Sequence, residues 1–249
     1  MRPDLKKIST GISGLDEMLN GGVPKKRICL VTGGPGVGKT ILGLQFLVNG
    51  AHQNEIGLFV SLEENPSHII ENALGFNWDF KKNYEEKVKF VDASPLQTLH
   101  DEIKIGEITI GSEQFSFATL VSVIKKEAYR IKPKRIVLDS LTALLFQFDN
   151  NFDRRRATLE LFQCLNELDA TCIVTSELRS YSPDRELQVE EYLAQGVILL
   201  ATLPNGIRTV HIEKMRGTSH DLNTRPYQIG EKGIEVFPKE TVTVPSRYL

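Results

Sequence analysis

Along this chain, short apolar runs alternate with longer stretches in which apolar residues return every three or four positions. The runs RICLV, IGLFVS, VKFV, RIVL and TCIVT are each the length of one buried strand. Between them, TILGLQFLVNGA places Ile41, Leu42, Gln45, Phe46 and Val48 at helical spacing, and PSHIIENALGF reads as a helix opened by Asn65 and Pro66. The residues from Phe117 to Arg130 are helical in pattern, and DRRRATLELFQCLNELD is an amphipathic helix. This alternation predicts an α/β fold on a mostly parallel, twisted sheet flanked by helices.

Two stretches break the alternation. GVILLATLPNGIRTVHIEKMRG reads as two strands joined at Asn205-Gly206, a pair favoured by tight primed hairpin turns, so the sheet is expected to acquire an antiparallel C-terminal edge. The segment from Ala93 to Ser116 is polar and its pattern assigns no element to it, with IKIGEITIG as a candidate short excursion off the core.

The chain has 249 residues, enough for one α/β domain with a full core, and no linker composition divides it; one domain over 1–249 is expected. Its net charge of −2 leaves no global positive field to attract nucleic acid or an anionic membrane, though a local patch remains compatible with it. The opening MRPDLKKISTG lacks an apolar leader core, and no apolar stretch reaches membrane-spanning length, so a cytoplasmic protein without membrane attachment is expected. Cys29, Cys164 and Cys172 sit in or beside apolar runs without metal-ligand spacing, which points to buried reduced thiols.

The candidate chemistry begins at VTGGPGVGKT. Gly33, Gly38, Lys39 and Thr40 satisfy G-x-x-x-x-G-K-[ST] between an apolar strand and a helix, the setting in which backbone N–H groups close around a phosphate. The loop Gly33, Gly34, Pro35, Gly36, Val37, Gly38, Lys39, Thr40 and Ile41 is therefore the expected ATP/ADP site, with Lys39 on the β- and γ-phosphates and the Thr40 hydroxyl on Mg²⁺. Parallel strands deliver their C-terminal ends to one crevice. Asp139 closes RIVLD there; an acid in that place either supports Mg²⁺ or caps the next helix, and the P-loop favours Mg²⁺. Glu63 and Glu64 close the strand after the P-loop helix, where a carboxylate orients or deprotonates an attacking water, or is solvated surface.

STGISGLDEMLNGGVPKKRICLVTGGPGVGKT, FVSLEENP, IVLDSLTAL, RRATLELFQCLNELDATCIVTSE and KMRGTSHD together resemble the KaiC-like branch of the RecA superfamily of ATPases, from about Ser9 to about Pro238. The resemblance implies a RecA-type core with Glu63 and Glu64 as catalytic glutamates and Asp139 as the Walker B acid. It also implies homo-hexameric rings with ATP between subunits. Lys214, Met215, Arg216, Thr218 and His220 match positions that in this family reach the neighbouring subunit's nucleotide, whereas sequence alone reads Lys214 and Arg216 as solvated charges at a hairpin's end.

The founding clock protein of that branch has two such domains and this chain has one, so clock function does not carry over. The leading expectation is a slow, oligomeric, regulatory ATPase. A recombinase-like single-stranded DNA-binding ATPase is the alternative. Its natural loop, RSYSPDRELQVEE, is rich in acids, and Arg154 to Arg156 form the other basic run. A nucleotide-gated scaffold with little hydrolysis, or an autokinase using Ser180 or Ser182, is the third reading.

Overall fold

A computed structural model describes residues 5–94, 103–105, 108–110, 117–178 and 185–242. Near the N-terminus, β1 (Lys7–Ile8) pairs with β2 (Val23–Pro24) around α1 (Ser13–Met18). The alternating body follows as β3 (Ile28–Gly33), α2 (Lys39–His52), β4 (Gly57–Ser61), α3 (Pro66–Ala73), α4 (Phe80–Asn83) and β5 (Val88–Asp92). After the small hairpin β6 (Ile103–Ile105) and β7 (Ile108–Ile110) come α5 (Phe117–Ile131), β8 (Arg135–Asp139), α6 (Leu141–Leu145), α7 (Asn151–Glu167) and β9 (Thr171–Glu177). The chain then continues through α8 (Val189–Leu193), β10 (Gly196–Thr202), β11 (Arg208–Met215), β12 (Arg225–Gly230) and β13 (Gly233–Val236).

Nine strands form one sheet in the order β13-β12-β11-β10-β3-β9-β8-β4-β5. From β10 to β5 every pairing is parallel; from β10 to β13 every pairing is antiparallel. The expected α/β architecture with an antiparallel edge is what forms. The IKIGEITIG excursion is the separate β6-β7 ribbon.

Side chains of the central strands alternate between two cores, as the two-residue period requires. Cys29, Val31, Phe59, Val137 and Ile173 pack on the α2 side, and Ile28, Leu30, Leu58, Val60, Ile136 and Leu138 pack under α5 and α7. Covering both faces is why these strands read as continuous apolar runs rather than alternating ones. Asn65 caps α3 by accepting from Ser67 N–H at 2.8 Å, with Pro66 in the first turn, as the sequence signal predicts.

The β10-β11 connection differs from the primed turn expected of Asn205-Gly206. Gly206 N–H donates to Leu203 C=O at 2.8 Å, and Leu203 N–H donates to Ile207 C=O at 2.8 Å. Gly206 has positive φ, at 82°, and Asn205 does not, whereas an Asn-Gly type I′ turn needs it at both central residues. Pro204 explains the outcome: its ring holds φ negative and sets the second position of a type I turn, with Gly206 as the left-handed residue of the bulge.

The strands β12 and β13, which periodicity does not announce, return across the P-loop helix. Gln45 on α2 accepts from Ile234 N–H at 2.8 Å and donates to Gly11 C=O at 3.1 Å and Ile234 C=O at 3.2 Å. A residue counted with the apolar stripe of α2 thus stitches that helix to the segment before α1 and to β13. The Tyr227 hydroxyl donates to Val37 C=O at 2.5 Å, holding the P-loop from β12.

Candidate nucleotide site

The P-loop bridges β3 and α2. Gly36 and Gly38 have φ of +72° and +94°, left-handed conformations that glycine adopts at no steric cost and that aim consecutive N–H groups at one point. A Cβ placed on Gly34 or Gly36 would meet nothing within 4 Å, so the space before the loop is open. A Cβ on Gly33 would stand 2.3 Å from Leu200 C=O, which makes that glycine a sheet-packing requirement. Pro35 is exposed, Val37 buried and Ile41 half-buried at the start of α2. The first turn of α2 carries no acid, leaving its positive end for an anion.

Lys39 folds over this loop, its ammonium donating to Gly33 C=O at 3.0 Å and Gly34 C=O at 2.8 Å. Burial lowers its pKa from the ordinary lysine value, and Glu177, Asp139 and Glu63 oppose that shift. Three carboxylates therefore surround the one P-loop cation.

Sheet register brings these acids together. Ser61 pairs with Asp139 and Gly33 pairs with Glu177, so the ends of adjacent strands lie in one row. The Thr40 hydroxyl donates to Asp139 Oδ2 at 2.7 Å, and the Thr175 hydroxyl donates to Asp139 Oδ1. Burial pushes the Asp139 carboxyl above the usual aspartate value, with the Thr175 and Thr40 bonds pulling it back. A hydroxyl and a carboxylate in contact are the hard oxygen donors that suit Mg²⁺. Among the described residues no three His, Cys, Asp or Glu side chains form an ion cage. That is compatible with Mg²⁺, which keeps most of its shell for phosphate and water.

Glu63 and Glu64, both exposed, diverge. Glu63 Oε2 accepts from the Ser140 hydroxyl at 2.9 Å, next to Asp139, to which Ser140 is joined by a cis peptide. Glu64 turns instead toward α3, where Asn72 donates to it at 3.5 Å. Sequence reasoning missed Ser140, Thr175 and Glu177; the signal available was that TCIVTSE ends beside RIVLDS at the same edge.

Lys214, Met215, Arg216, Thr218 and His220 lie at the other end of the sheet. Gly196 pairs with both Met215 and Cys29, whereas Leu200 pairs with Gly33, so strand length, about 13 Å, separates them from the P-loop of their own chain. Lys214 Nζ donates to Glu191 C=O at 2.5 Å and Tyr192 C=O at 3.4 Å, and Arg216 donates to Tyr192 C=O at 3.1 Å. Met215 is buried, and the Thr218 hydroxyl donates to Ser219 C=O at 3.1 Å. Both ring nitrogens of His220 are enclosed without a hydrogen-bond partner among the described residues.

The three cysteines are free and buried. In the basic run, Arg154 Nε donates to Phe148 C=O at 2.9 Å and Arg156 pairs with Glu160 at 3.0 Å. Ser180 and Ser182 lie outside the described residues, as does part of the acidic loop that holds them. Among the described residues, no helix is long and apolar enough to cross a membrane.

Residues 8–241 match the family model for the KaiC ATPase. Over 252 residues the chain is 36% identical to circadian clock oscillator protein KaiC 1 of Synechocystis sp., covering 99% of this chain and 47% of that protein. It is 34% identical over 249 residues to KaiC of Synechococcus elongatus, covering 98% of this chain and 46% of that protein. The chain thus spans about half the length of the curated relatives it matches. The crystal structure of a KaiC-like protein from the hyperthermophilic archaeon Pyrococcus horikoshii superposes with a TM-score of 0.78 at 32% identity, covering 94% of this chain and 100% of that one.

Proposed function

The chain belongs to the KaiC ATPase family, and from that premise we propose that it binds and hydrolyses ATP as a subunit of a homo-oligomeric ring, in the cytoplasm, with a regulatory role. The observation that carries the cis half of the site is the Thr40–Asp139 contact beneath a Lys39-closed P-loop. In this reading Lys39 and the loop N–H groups bind the triphosphate, and Thr40 with Asp139 would hold Mg²⁺. The metal, when bound, neutralises charge on the phosphate oxygens. Glu63, held by Ser140, accepts the proton of the water that attacks the γ-phosphorus as the bond to the β-phosphate oxygen breaks. Glu64 supports it from α3.

The trans half rests on the distance between Lys214 and Arg216 and their own P-loop. Two cations a strand's length from the phosphates of their own chain act on a nucleotide only if another chain supplies it. Developing charge on the transferred phosphoryl needs such cations beyond Lys39. Met215, Thr218 and His220 frame the pair.

Complementation tests both halves. Lys39→Ala should lose tight ATP binding in calorimetry while remaining folded, and Arg216→Ala should bind ATP and assemble yet lose turnover by up to about 10³–10⁵-fold. Mixed under subunit exchange, the two inactive chains should regain activity at interfaces joining an intact P-loop to an intact Arg216, roughly a quarter of them in a head-to-tail ring. An inert mixture with exchange verified by mass spectrometry overturns independent trans action, and Lys39→Ala that binds ATP as the parent does overturns the site. Turnover strongly stimulated by single-stranded DNA would favour the recombinase-like reading instead.

A further inference from the structure

Helix α8, with Gln188 before it and Gln195 after it, is bonded to both halves of the proposed site. Its N-terminal side is tied to the P-loop end of the sheet. Glu190, 4% exposed, accepts from the Ser176 hydroxyl at 2.6 Å and from Gln188 Nε2 at 2.8 Å, and Gln188 donates to Glu177 C=O at 3.0 Å. Ser176 pairs in register with Thr32, the last residue before the P-loop, and Glu177 with Gly33, the first residue of it.

The C-terminal side of α8 faces the opposite end. The Glu191 and Tyr192 carbonyls accept from Lys214 and Arg216, Gln195 N–H donates to Ile28 C=O at 3.1 Å, and Arg216 N–H donates to Gln195 C=O at 2.9 Å. The Glu191 side chain, 3% exposed, is held by both Arg185 guanidinium nitrogens at 2.7 Å and by Gln188 N–H at 2.6 Å. A buried carboxylate is costly unless its oxygens are bonded, and bonding fixes its geometry. Glu190 and Glu191 are the buried residues of this five-residue helix, so its carboxylates and their partners anchor it rather than apolar burial.

We propose that Glu190 is a positioning residue: it clamps α8 to the end of β9 beside the P-loop, and α8 thereby sets Lys214 and Arg216 for the neighbouring chain's nucleotide. The inference rests on the trans reading above. One short rigid link then joins the nucleotide a chain holds to the cations it lends.

The test is Glu190→Ala, in which the clamp is lost but Lys214, Arg216 and the P-loop are intact. Turnover at saturating ATP should fall about 10–10²-fold, the scale of a misplacement near 1 Å. Glu190→Gln, which keeps an accepting oxygen for Ser176, should recover most of it. In an Arg216→Ala background Glu190→Ala should cost little more, because both act through the same cation. Multiplying losses would mean general damage and overturn the proposal. Mixed with Lys39→Ala, Glu190→Ala should regain activity; mixed with Arg216→Ala, it should not. If Arg216→Ala is rescued by Lys39→Ala but Glu190→Ala is not, Glu190 serves its own P-loop and the proposal fails while the trans reading stands. If neither is rescued, the trans reading fails first. Should Glu190→Ala not fold, Gln188→Ala, at a half-buried position on the same link, carries the same expectations.

Discussion

Glu63 and Glu64 are neighbours in sequence and are set apart by their partners, Ser140 and Asn72. Glu63→Gln is expected to bind ATP and lose about 10²–10⁴-fold in single-turnover hydrolysis, the range of a positioned base. Glu64→Gln should lose less than about tenfold, because its carboxylate faces α3. Equal losses in rapid-quench measurements would mean that the two acids share the role. The cysteines make a second residue-scale case. Burial pushes the Cys29 and Cys172 thiols up to about 12, so at pH 8 almost none is thiolate, the reactive form. A thiol reagent should leave both unlabelled in the native protein and label them at once in guanidinium. The apolar runs around them made this legible; the Thr175–Asp139 bond, which depends on strand order, was not.

Elements here are joined by a few polar bonds that pattern does not reveal. Arg135, fully buried at the start of β8, donates to Glu55 at 2.7 Å and to Ser9 C=O and Phe46 C=O at 2.9 Å, tying β8 to the middle of α2, to the loop after it and to the N-terminal segment. Glu55→Ala leaves that guanidinium without its counter-ion and should cost about 3 kcal/mol in urea unfolding, the lower end for a broken buried pair because Glu55 is 22% exposed. By contrast Asp169, 59% exposed and paired with Lys26 and Lys134, should leave the urea midpoint nearly unchanged as Asp169→Asn, because water screens an exposed pair. At the β12-β13 turn, Gly233 has φ of +92° and a Cβ would stand 2.5 Å from Gln45 Oε1 and 2.7 Å from Trp78. Gly233→Ala should therefore destabilise by about 1–3 kcal/mol and loosen the strand that carries Tyr227 to the P-loop, read as a lower denaturation midpoint and weaker ATP binding. Periodicity missed β12 and β13 because PYQIG and GIEV are too short and too mixed to stand out from loop.

Across the whole molecule, the P-loop and the Lys214–Arg216 pair face opposite ends of the sheet. In the proposed ring ATP touches two chains, so its binding energy is linked to assembly. Light scattering should give a mass that rises toward the ring with ATP concentration, and Lys39→Ala by itself should show no such rise, entering rings only beside chains whose P-loop holds ATP. A monomer at saturating ATP would remove the trans site.

Local and periodic features were decided by the sequence itself. The P-loop needs only its glycines, Lys39 and Thr40 between a strand and a helix, and the buried strands need only runs of apolar residues, so both are written in consecutive positions. Asp139 and the Glu63–Glu64 pair were legible as strand ends because a parallel sheet sends all such ends to one edge. Other features waited on tertiary structure: which of two glutamates faces Asp139, the arrival of Glu177 beside Lys39, the strands that brace the P-loop, and the distance that parts Lys214 and Arg216 from the P-loop of their own chain. Those depend on strand order and register, which arise when helices cover both faces of the sheet and residues more than a hundred positions apart, such as Gly33 and Glu177, become neighbours.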